Sequence, residues 1–175
     1  MMEFTPFDET LYLDADTIVL GDLSFGFDKA ARFGAACAIC ENPWARRYGG
    51  LSGDMVEYNT GVLFFTKKAA PLFDAWKRAA GEVDSSMVHV VDGGRKVKMP
   101  LNDQAGFARA VEDVAGEDGG LRPFILPLNW NFRSQFHYSW FGPIKIWHGY
   151  ADVPDALLEH NRKQMDEDEV IGFSQ

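Results

Sequence analysis

The stretch LYLDADTIVL, at residues 11–20, decides how the rest of the chain is interpreted. Its apolar residues predict a short strand at 10–13 and a second at Thr17–Val19, so Asp14 and Asp16 follow the end of a buried strand. In open α/β sheets, that edge is where ligands bind. Two carboxylates held close together repel each other, and each resists ionisation unless they share a cation. The stretch therefore predicts a ligand site at which Asp14 and Asp16 hold a metal ion.

Two other interpretations of the same residues remain open. Aspartates at strand ends often cap turns. The string D-x-D-x-T, formed by Asp14, Asp16 and Thr17, also resembles the first motif of haloacid-dehalogenase-type phosphatases, in which Asp14 would be the nucleophile. Such a phosphatase needs a later acidic pair after another strand. Gly53-Asp54 follows a glycine-rich loop instead, so the phosphatase is kept as the alternative function.

Length, composition and charge limit the possible classes of function. The chain has 175 residues, enough for one domain of ordinary size, and its 46% hydrophobic and 25% charged residues are typical of a globular protein. A net charge of −9 with no run of Lys or Arg argues against nucleic acid as a partner. No apolar stretch is long enough to span a membrane, and the first residues do not form a signal peptide. A cytoplasmic location is therefore expected.

The two cysteines, Cys37 and Cys40, form the motif C-A-I-C. A redox-active pair of this spacing needs a helix N-terminus directly behind it. Here the motif lies within the apolar run FGAACAIC, which is typical of a buried strand. We therefore expect two reduced thiols packed in the core.

The hydrophobic pattern alternates strands and helices, which predicts an α/β fold with a mixed sheet flanked by helices. The strongest strand is Tyr58–Thr66, YNTGVLFFT, whose continuous apolar run predicts burial on both faces. The remaining predicted strands are at 35–39, 121–128 and 144–148, and the stretch 84–100 is expected to hold a Gly93-Gly94 turn with short strands. The predicted helices are at 67–80, 103–114 (capped by Asn102) and 154–165, with one helical turn at 23–27.

Five blocks of the chain, in order and at similar spacing, resemble the GT-A-fold glycosyltransferases of the glycogenin- and galactosyltransferase-like group (family 8-like). The blocks are LYLDADTIVLGDL at 11–23, EYNTGVLFF at 57–65, LNDQ at 101–104, LPLNWN at 126–131 and IWHGY at 146–150. The resemblance implies a metal-dependent transferase that retains configuration. It would move a sugar from a nucleotide-diphospho-sugar, with a UDP-sugar as the first expectation, to an acceptor that the sequence does not identify.

The same resemblance implies roles for the polar residues of the blocks. His148 would be the third metal ligand beside the D-x-D motif of Asp14 and Asp16, and this donor set suits Mn²⁺, or Mg²⁺. Asp103 and Gln104 would contact the donor sugar near the reacting carbon, and they are the candidate catalytic residues. The candidate substrate-binding residues are Asn59, Thr60, Gly61, Asn129, Trp130, Asn131 and Gly149. For Trp130, core packing remains an equal alternative.

The chain departs from the resembled group in two places. That group has a nucleotide-binding segment before its D-x-D motif, whereas 13 residues precede Asp14 here, so we expect residues 1–175 to form a single partial domain, truncated at its N-terminus. A sheet without its first strands has an open edge, which predicts a homo-oligomer or a partner chain that completes it.

The second departure concerns a lysine. The group's ending G-x-x-K-P-W is absent after Gly149, and Lys145 is the remaining candidate cation for a phosphate. A degenerate module without catalytic activity is therefore a further alternative to the transferase.

Overall fold

The computed structural model describes residues 5–41, 55–101, 103–116, 119–137, 139–166 and 172–174. Within these ranges it contains ten strands and four α-helices. The strands are β1 (Glu9–Leu13), β2 (Thr17–Val19), β3 (Ala35–Ile39), β4 (Tyr58–Thr66), β5 (Asp84–Val91), β6 (Arg95–Leu101), β7 (Phe124–Leu126), β8 (Ser139–Phe141), β9 (Ile146–His148) and β10 (Gly172–Ser174). The helices are α1 (Ser24–Phe33), α2 (Ala70–Glu82), α3 (Asp103–Ala115) and α4 (Asp155–Asp166).

A four-stranded mixed sheet with the order β1-β4-β3-β7 organises the fold. Strand β4 is antiparallel to both β1 and β3, whereas β7 runs parallel to β3. Three two-stranded sheets, β2-β9, β5-β6 and β8-β10, accompany it. The predicted α/β class with a mixed sheet and flanking helices is confirmed.

Strand β4 is buried at every residue, as its apolar run predicts. Successive side chains of a strand point to opposite faces. Leu63 and Phe65 accordingly pack in the core formed with α2 and α3, whereas Val62 and Phe64 pack in a second core beneath α1. Helices therefore cover both faces of the sheet, and polar groups reach a ligand only at its ends.

Helix α1 is longer than the single turn expected at 23–27, so that prediction was wrong. The residues that the helix buries are Gly26 and Ala30, one turn apart and both small. Small residues give almost no apolar periodicity in the sequence, although they let the helix approach the ring of Phe64 closely. The helix ends at Gly34, whose φ of 87° lies in the left-handed region that glycine adopts readily.

Three other boundaries differ from expectation. Helix α2 runs from Ala70 to Glu82, so it begins and ends later than the predicted helix at 67–80. The strand expected at 121–128 is confined to β7, because Pro123 and Pro127 flank it and proline cannot donate to a sheet. The strand expected at 144–148 begins two residues later, as β9. The predicted cap Asn102 lies outside the described residues.

The cysteines behave as predicted. Cys37 and Cys40 are both buried, and neither forms a disulfide. Burial raises the pKa of the Cys37 thiol far above its ordinary value, so the thiolate needed for redox exchange does not form there.

No helix within the described ranges has the length and apolar character needed to cross a membrane.

Replacing Gly26 with alanine should destabilise the packing of α1 on the sheet. An added Cβ would lie 2.6 Å from Cζ of the fully buried Phe64 ring, and overpacking of this kind costs about 1–3 kcal/mol. Urea denaturation followed by circular dichroism should show a lower free energy of unfolding.

Gly81→Ala is the matched control, because nothing lies within 4 Å of a Cβ at this exposed helical position. Removing a helical glycine there should raise the free energy of unfolding by up to about 1 kcal/mol. A loss of stability of the same size in both variants would contradict the packing argument.

Candidate metal centre

The carboxylates of Asp14 and Asp16 and the imidazole of His148 converge at one end of the central sheet. Nε2 of His148 lies 3.3 Å from Oδ1 of Asp16 and 3.8 Å from Oδ2 of Asp14. One potential ligand atom from each residue lies within 4.8 Å of the other two. The three side chains that the sequence assigned to a metal are therefore brought together with a spacing that suits a single ion.

Backbone hydrogen bonds from two different sheets position this triad. The amide of Asp14 donates to the carbonyl of Gly61 at 2.8 Å, which continues the β1-β4 pairing by one residue. The chain then turns, since both the amide and the hydroxyl of Thr17 donate to the Asp14 carbonyl. Strand β2 pairs with β9, opposing Thr17 to His148, and the amide of Gly149 donates to the Asp16 carbonyl at 2.8 Å. The aspartates thus lie where the chain leaves one sheet for another.

Gly61 is required by the close approach of β4 to the triad. A Cβ at this position would lie 2.4 Å from Cε1 of His148 and 2.5 Å from Oδ2 of Asp14. Both distances are below any ordinary contact, so a side chain here would displace two candidate ligands. The glycine of the N-T-G segment therefore leaves room for the ligand groups.

The hydrogen bond between His148 and Asn131 fixes the tautomer of the imidazole. The ring nitrogen that faces the aspartates therefore carries a lone pair. Nδ1 lies 2.7 Å from the amide oxygen Oδ1 of Asn131, which can only accept, so Nδ1 carries the proton. Burial lowers the pKa of His148 and Arg133 acts in the same direction, although Asp16, Asp14 and Glu41 oppose them. Nε2 is then an unprotonated acceptor that faces two carboxylates. Such an arrangement of acceptors is favourable when a cation lies among them.

Tyr12 orients Asp14 and was missed by the sequence analysis. Its hydroxyl donates to Oδ1 of Asp14 at 2.9 Å, and Oδ2 is the oxygen nearer to His148. Burial raises the pKa of Tyr12, and the hydrogen bond to Asp14 adds to that effect. Residues two apart on a strand share a face, so the spacing of Tyr12 and Asp14 was a signal that could have identified the pair.

The triad opens into a cleft of about 240 Å³. The residues that line it are Asp14, Asp16, Asn59, Thr60, Gly61, Asp103, Gln104, Arg133, Gln135, His148 and Tyr150. Eight of these belong to the candidate site residues of the sequence analysis, whereas Arg133, Gln135 and Tyr150 do not. The cleft therefore places both candidate catalytic residues beside the metal centre.

Asp103 is held at the start of α3 by contacts from two elements. The hydroxyl of Thr60 donates to its Oδ2 at 3.1 Å, and the indole nitrogen of Trp76 donates to its backbone carbonyl at 2.8 Å. Asn59 uses its Oδ1 locally, accepting from the amide of Gly61 at 3.0 Å. The other carboxylate oxygen of Asp103, Oδ1, remains available in the cleft.

Four of the predicted substrate-binding residues are not among the residues that line the cleft. Asn129 donates to the Gly142 carbonyl, and Trp130 is buried in the core with its ring 5.8 Å from that of Phe64. Asn131 is buried behind His148, and Gly149 contributes its backbone amide to Asp16. For Trp130 the core alternative is the one observed.

Lys145, the candidate cation for a phosphate, also lies outside the residues that line the cleft. A Cβ on Gly21 would lie 3.0 Å from Cδ of Lys145, which places this lysine beside the turn after β2.

Two solved structures resemble this fold over most of its length. One is the galactosyltransferase LgtC in complex with donor and acceptor sugar analogues, with a TM-score of 0.51 and 12% identity over 93% of this chain. The other is mouse xyloside xylosyltransferase 1 in its apo form, with a TM-score of 0.53 and 17% identity over 87% of this chain. The chain spans 61% and 62% of the length of these two structures.

These similarities show that the chain has the fold of the GT-A glycosyltransferases. At the level of sequence, no protein-family model and no curated protein matches it.

Gly61→Ala should weaken Mn²⁺ binding about tenfold or more, because the new Cβ collides with both His148 and Asp14. Overpacking of this kind costs about 1–3 kcal/mol, and here it displaces the candidate ligands. Gly149→Ala is the control, since its Cβ would meet only Oε1 of Gln135 at an ordinary 3.6 Å. Isothermal titration calorimetry with Mn²⁺ measures both. Equal affinities in the two variants would show that Gly61 does not make room for the ligands.

Asn131→Ala should also reduce Mn²⁺ affinity, by about 10- to 100-fold, because the partner that fixes the His148 tautomer is lost. Asn131→Asp keeps an acceptor opposite Nδ1 and should bind Mn²⁺ at least as tightly as the unaltered chain. Titration at pH 7.5 compares them. Wild-type affinity in Asn131→Ala would exclude this role for the amide.

Proposed function

We propose that this chain is a metal-dependent glycosyltransferase domain that moves a sugar from a nucleotide-diphospho-sugar to an acceptor hydroxyl, with retention of configuration. Residues 1–175 would form one partial domain of the GT-A type. The observation that carries the proposal is the convergence of Asp14, Asp16 and His148 at the end of the sheet, beside Asp103 and Gln104, in a glycosyltransferase fold.

The donor set fits a divalent cation. Two carboxylate oxygens and one neutral imidazole nitrogen suit Mn²⁺, and Mg²⁺ is the second candidate. The room left by Gly61 and the unprotonated Nε2 of His148 favour the same conclusion. When bound, such a cation would supply Lewis-acid stabilisation to the negative charge of a diphosphate.

The reaction breaks the bond between the anomeric carbon of the sugar and the oxygen of the diphosphate. The electron pair of that bond leaves with the phosphate oxygen, while the acceptor hydroxyl forms the new bond on the same face of the sugar and its proton passes to the departing phosphate oxygen. We assign Asp103 to the donor sugar, because its free carboxylate oxygen can accept a hydrogen bond from a sugar hydroxyl. Gln104 follows it in the cleft, and we place its amide beside the reacting carbon.

A UDP-sugar is the first donor to test, as the sequence resemblance implies. The acceptor would enter from the open side of the cleft, where Gln135 and the fully exposed Tyr150 lie. An exposed aromatic ring at the rim of a polar cleft suits the apolar face of a sugar ring.

The phosphatase alternative is not favoured. In that mechanism Asp14 would attack phosphorus, yet one of its oxygens accepts from Tyr12 and the other lies against His148. The similar solved structures are glycosyltransferases. A non-catalytic module would keep the same cleft, and an activity measurement separates it from an enzyme.

Calorimetric titration with Mn²⁺ and UDP tests the proposal. UDP should bind only when Mn²⁺ is present, and Asp16→Asn and His148→Ala should each weaken Mn²⁺ binding about tenfold or more, since each removes one of three ligands. Asp113→Asn, on the exposed face of α3, serves as the control and should change neither affinity.

Three outcomes would contradict the proposal in different ways. Mn²⁺ binding that ignores both His148 and UDP would contradict the proposed site. Phosphatase activity abolished by Asp14→Asn would support the alternative enzyme. Mn²⁺-dependent UDP binding without transfer or hydrolysis of any UDP-sugar would indicate a non-catalytic module.

A further inference from the structure

Glu41, Arg133 and His137 form a mostly buried polar cluster at the edge of the cleft. Oε1 of Glu41 lies 2.8 Å from Nε2 of His137, and its Oε2 lies 3.6 Å from Nη1 of Arg133. The exposed fractions of the three side chains are 9%, 18% and 13% for Glu41, Arg133 and His137. Charged groups this far from water are costly unless they are paired, so a single buried carboxylate here holds both basic residues in place.

The cluster fixes Arg133 relative to the metal centre. The neighbouring residue Phe132 pairs with β9: its amide donates to Ile146, and its carbonyl accepts from the amide of His148, each at 2.8 Å. The guanidinium itself lies 4.6 Å from the centre of the Phe136 ring. Arg133 therefore reaches the cleft from the strand-like segment that also holds His148, with an aromatic ring and a carboxylate restricting its side chain.

The guanidinium of Arg133 has N–H groups left to donate to a ligand. A guanidinium offers five N–H groups, and the ion pair to Glu41 is longer than a hydrogen bond. Its Nε is buried without a hydrogen-bond partner in the described part of the chain. A planar fork of this kind matches two oxygens of a phosphate.

The negative charge of the side chains that line the cleft favours a cationic group for binding a diphosphate. The described residues that line it include three aspartates, and Arg133 is their one permanently charged base. A diphosphate carries several negative charges, and a single divalent ion shared with Asp14 and Asp16 leaves much of that charge unneutralised. Lys145, the other basic candidate, lies beside Gly21.

We propose that Arg133, positioned by Glu41 and His137, binds the diphosphate of the donor and stabilises the charge that develops on the departing nucleoside diphosphate. This assignment rests on the proposed function. As the bond to the anomeric carbon breaks, its electron pair moves onto the β-phosphate oxygen, and N–H groups of Arg133 donate to the phosphate. The proton of the acceptor hydroxyl passes to the departing phosphate oxygen, because the guanidinium is already fully protonated.

Calorimetry separates this role from metal binding. Arg133→Gln should weaken UDP binding at saturating Mn²⁺ by about tenfold or more, because a hydrogen bond to a charged group is removed. Its affinity for Mn²⁺ alone should stay at the wild-type value or rise, since a positive charge near the ligands is lost. Arg109→Gln, an exposed arginine on α3 paired with Asp113, should change neither affinity.

Arg133→Lys keeps the charge and the pairing with Glu41, so it covers the case in which Arg133→Gln does not fold by circular dichroism. It should bind UDP about three- to tenfold more weakly, because an ammonium is a point charge rather than a two-pronged donor. If wild-type protein binds UDP with Mn²⁺ and the folded Arg133 variants bind it equally well, the assignment of Arg133 is overturned while the proposed function stands. If wild-type protein shows no Mn²⁺-dependent UDP binding, both fail.

Discussion

Three acceptors that face one another at the end of the central sheet impose the main constraint on this molecule. Oxygens of Asp14 and Asp16 and a nitrogen of His148 lie within 4.8 Å of one another, and their mutual repulsion must be overcome by the rest of the fold. Pairing of β1 with β4 holds the first aspartate, and pairing of β2 with β9 holds the second beside the histidine. A cation bound among the three groups, as proposed above, would relieve this repulsion.

The groups behind the triad decide its chemistry. Tyr12 leaves one oxygen of Asp14 for the centre, and Asn131 selects the tautomer of His148. Both act through single hydrogen bonds from partly or fully buried positions, so their geometry is set by core packing rather than by solvent. Gly61 has no side chain, so its backbone leaves room for the side chains of His148 and Asp14. The site is therefore built as an extension of the paired strands.

Local patterns predicted the parts of the site that lie within one segment. The D-x-D motif, the buried strand β4 and the short strand before His148 are each visible in a few residues. The contacts of Arg133, Glu41 and Asn131 were not predicted, since they depend on how distant segments pair. The length of α1 was not predicted, because the residues that it buries are small. Trp130 shows that an aromatic residue near a site motif can equally belong to the core.

The pairing of β2 with β9 has a consequence for how the chain is made. Synthesis on the ribosome proceeds from the N-terminus, so β2 emerges before its partner β9, which follows only after β3 to β8 have been added. Until then β2 is an unpaired edge with two apolar side chains, Ile18 and Val19, which stay 42% and 46% exposed even in the finished fold. The strand that follows both aspartates is thus open to wrong pairing in the nascent protein until β9 emerges.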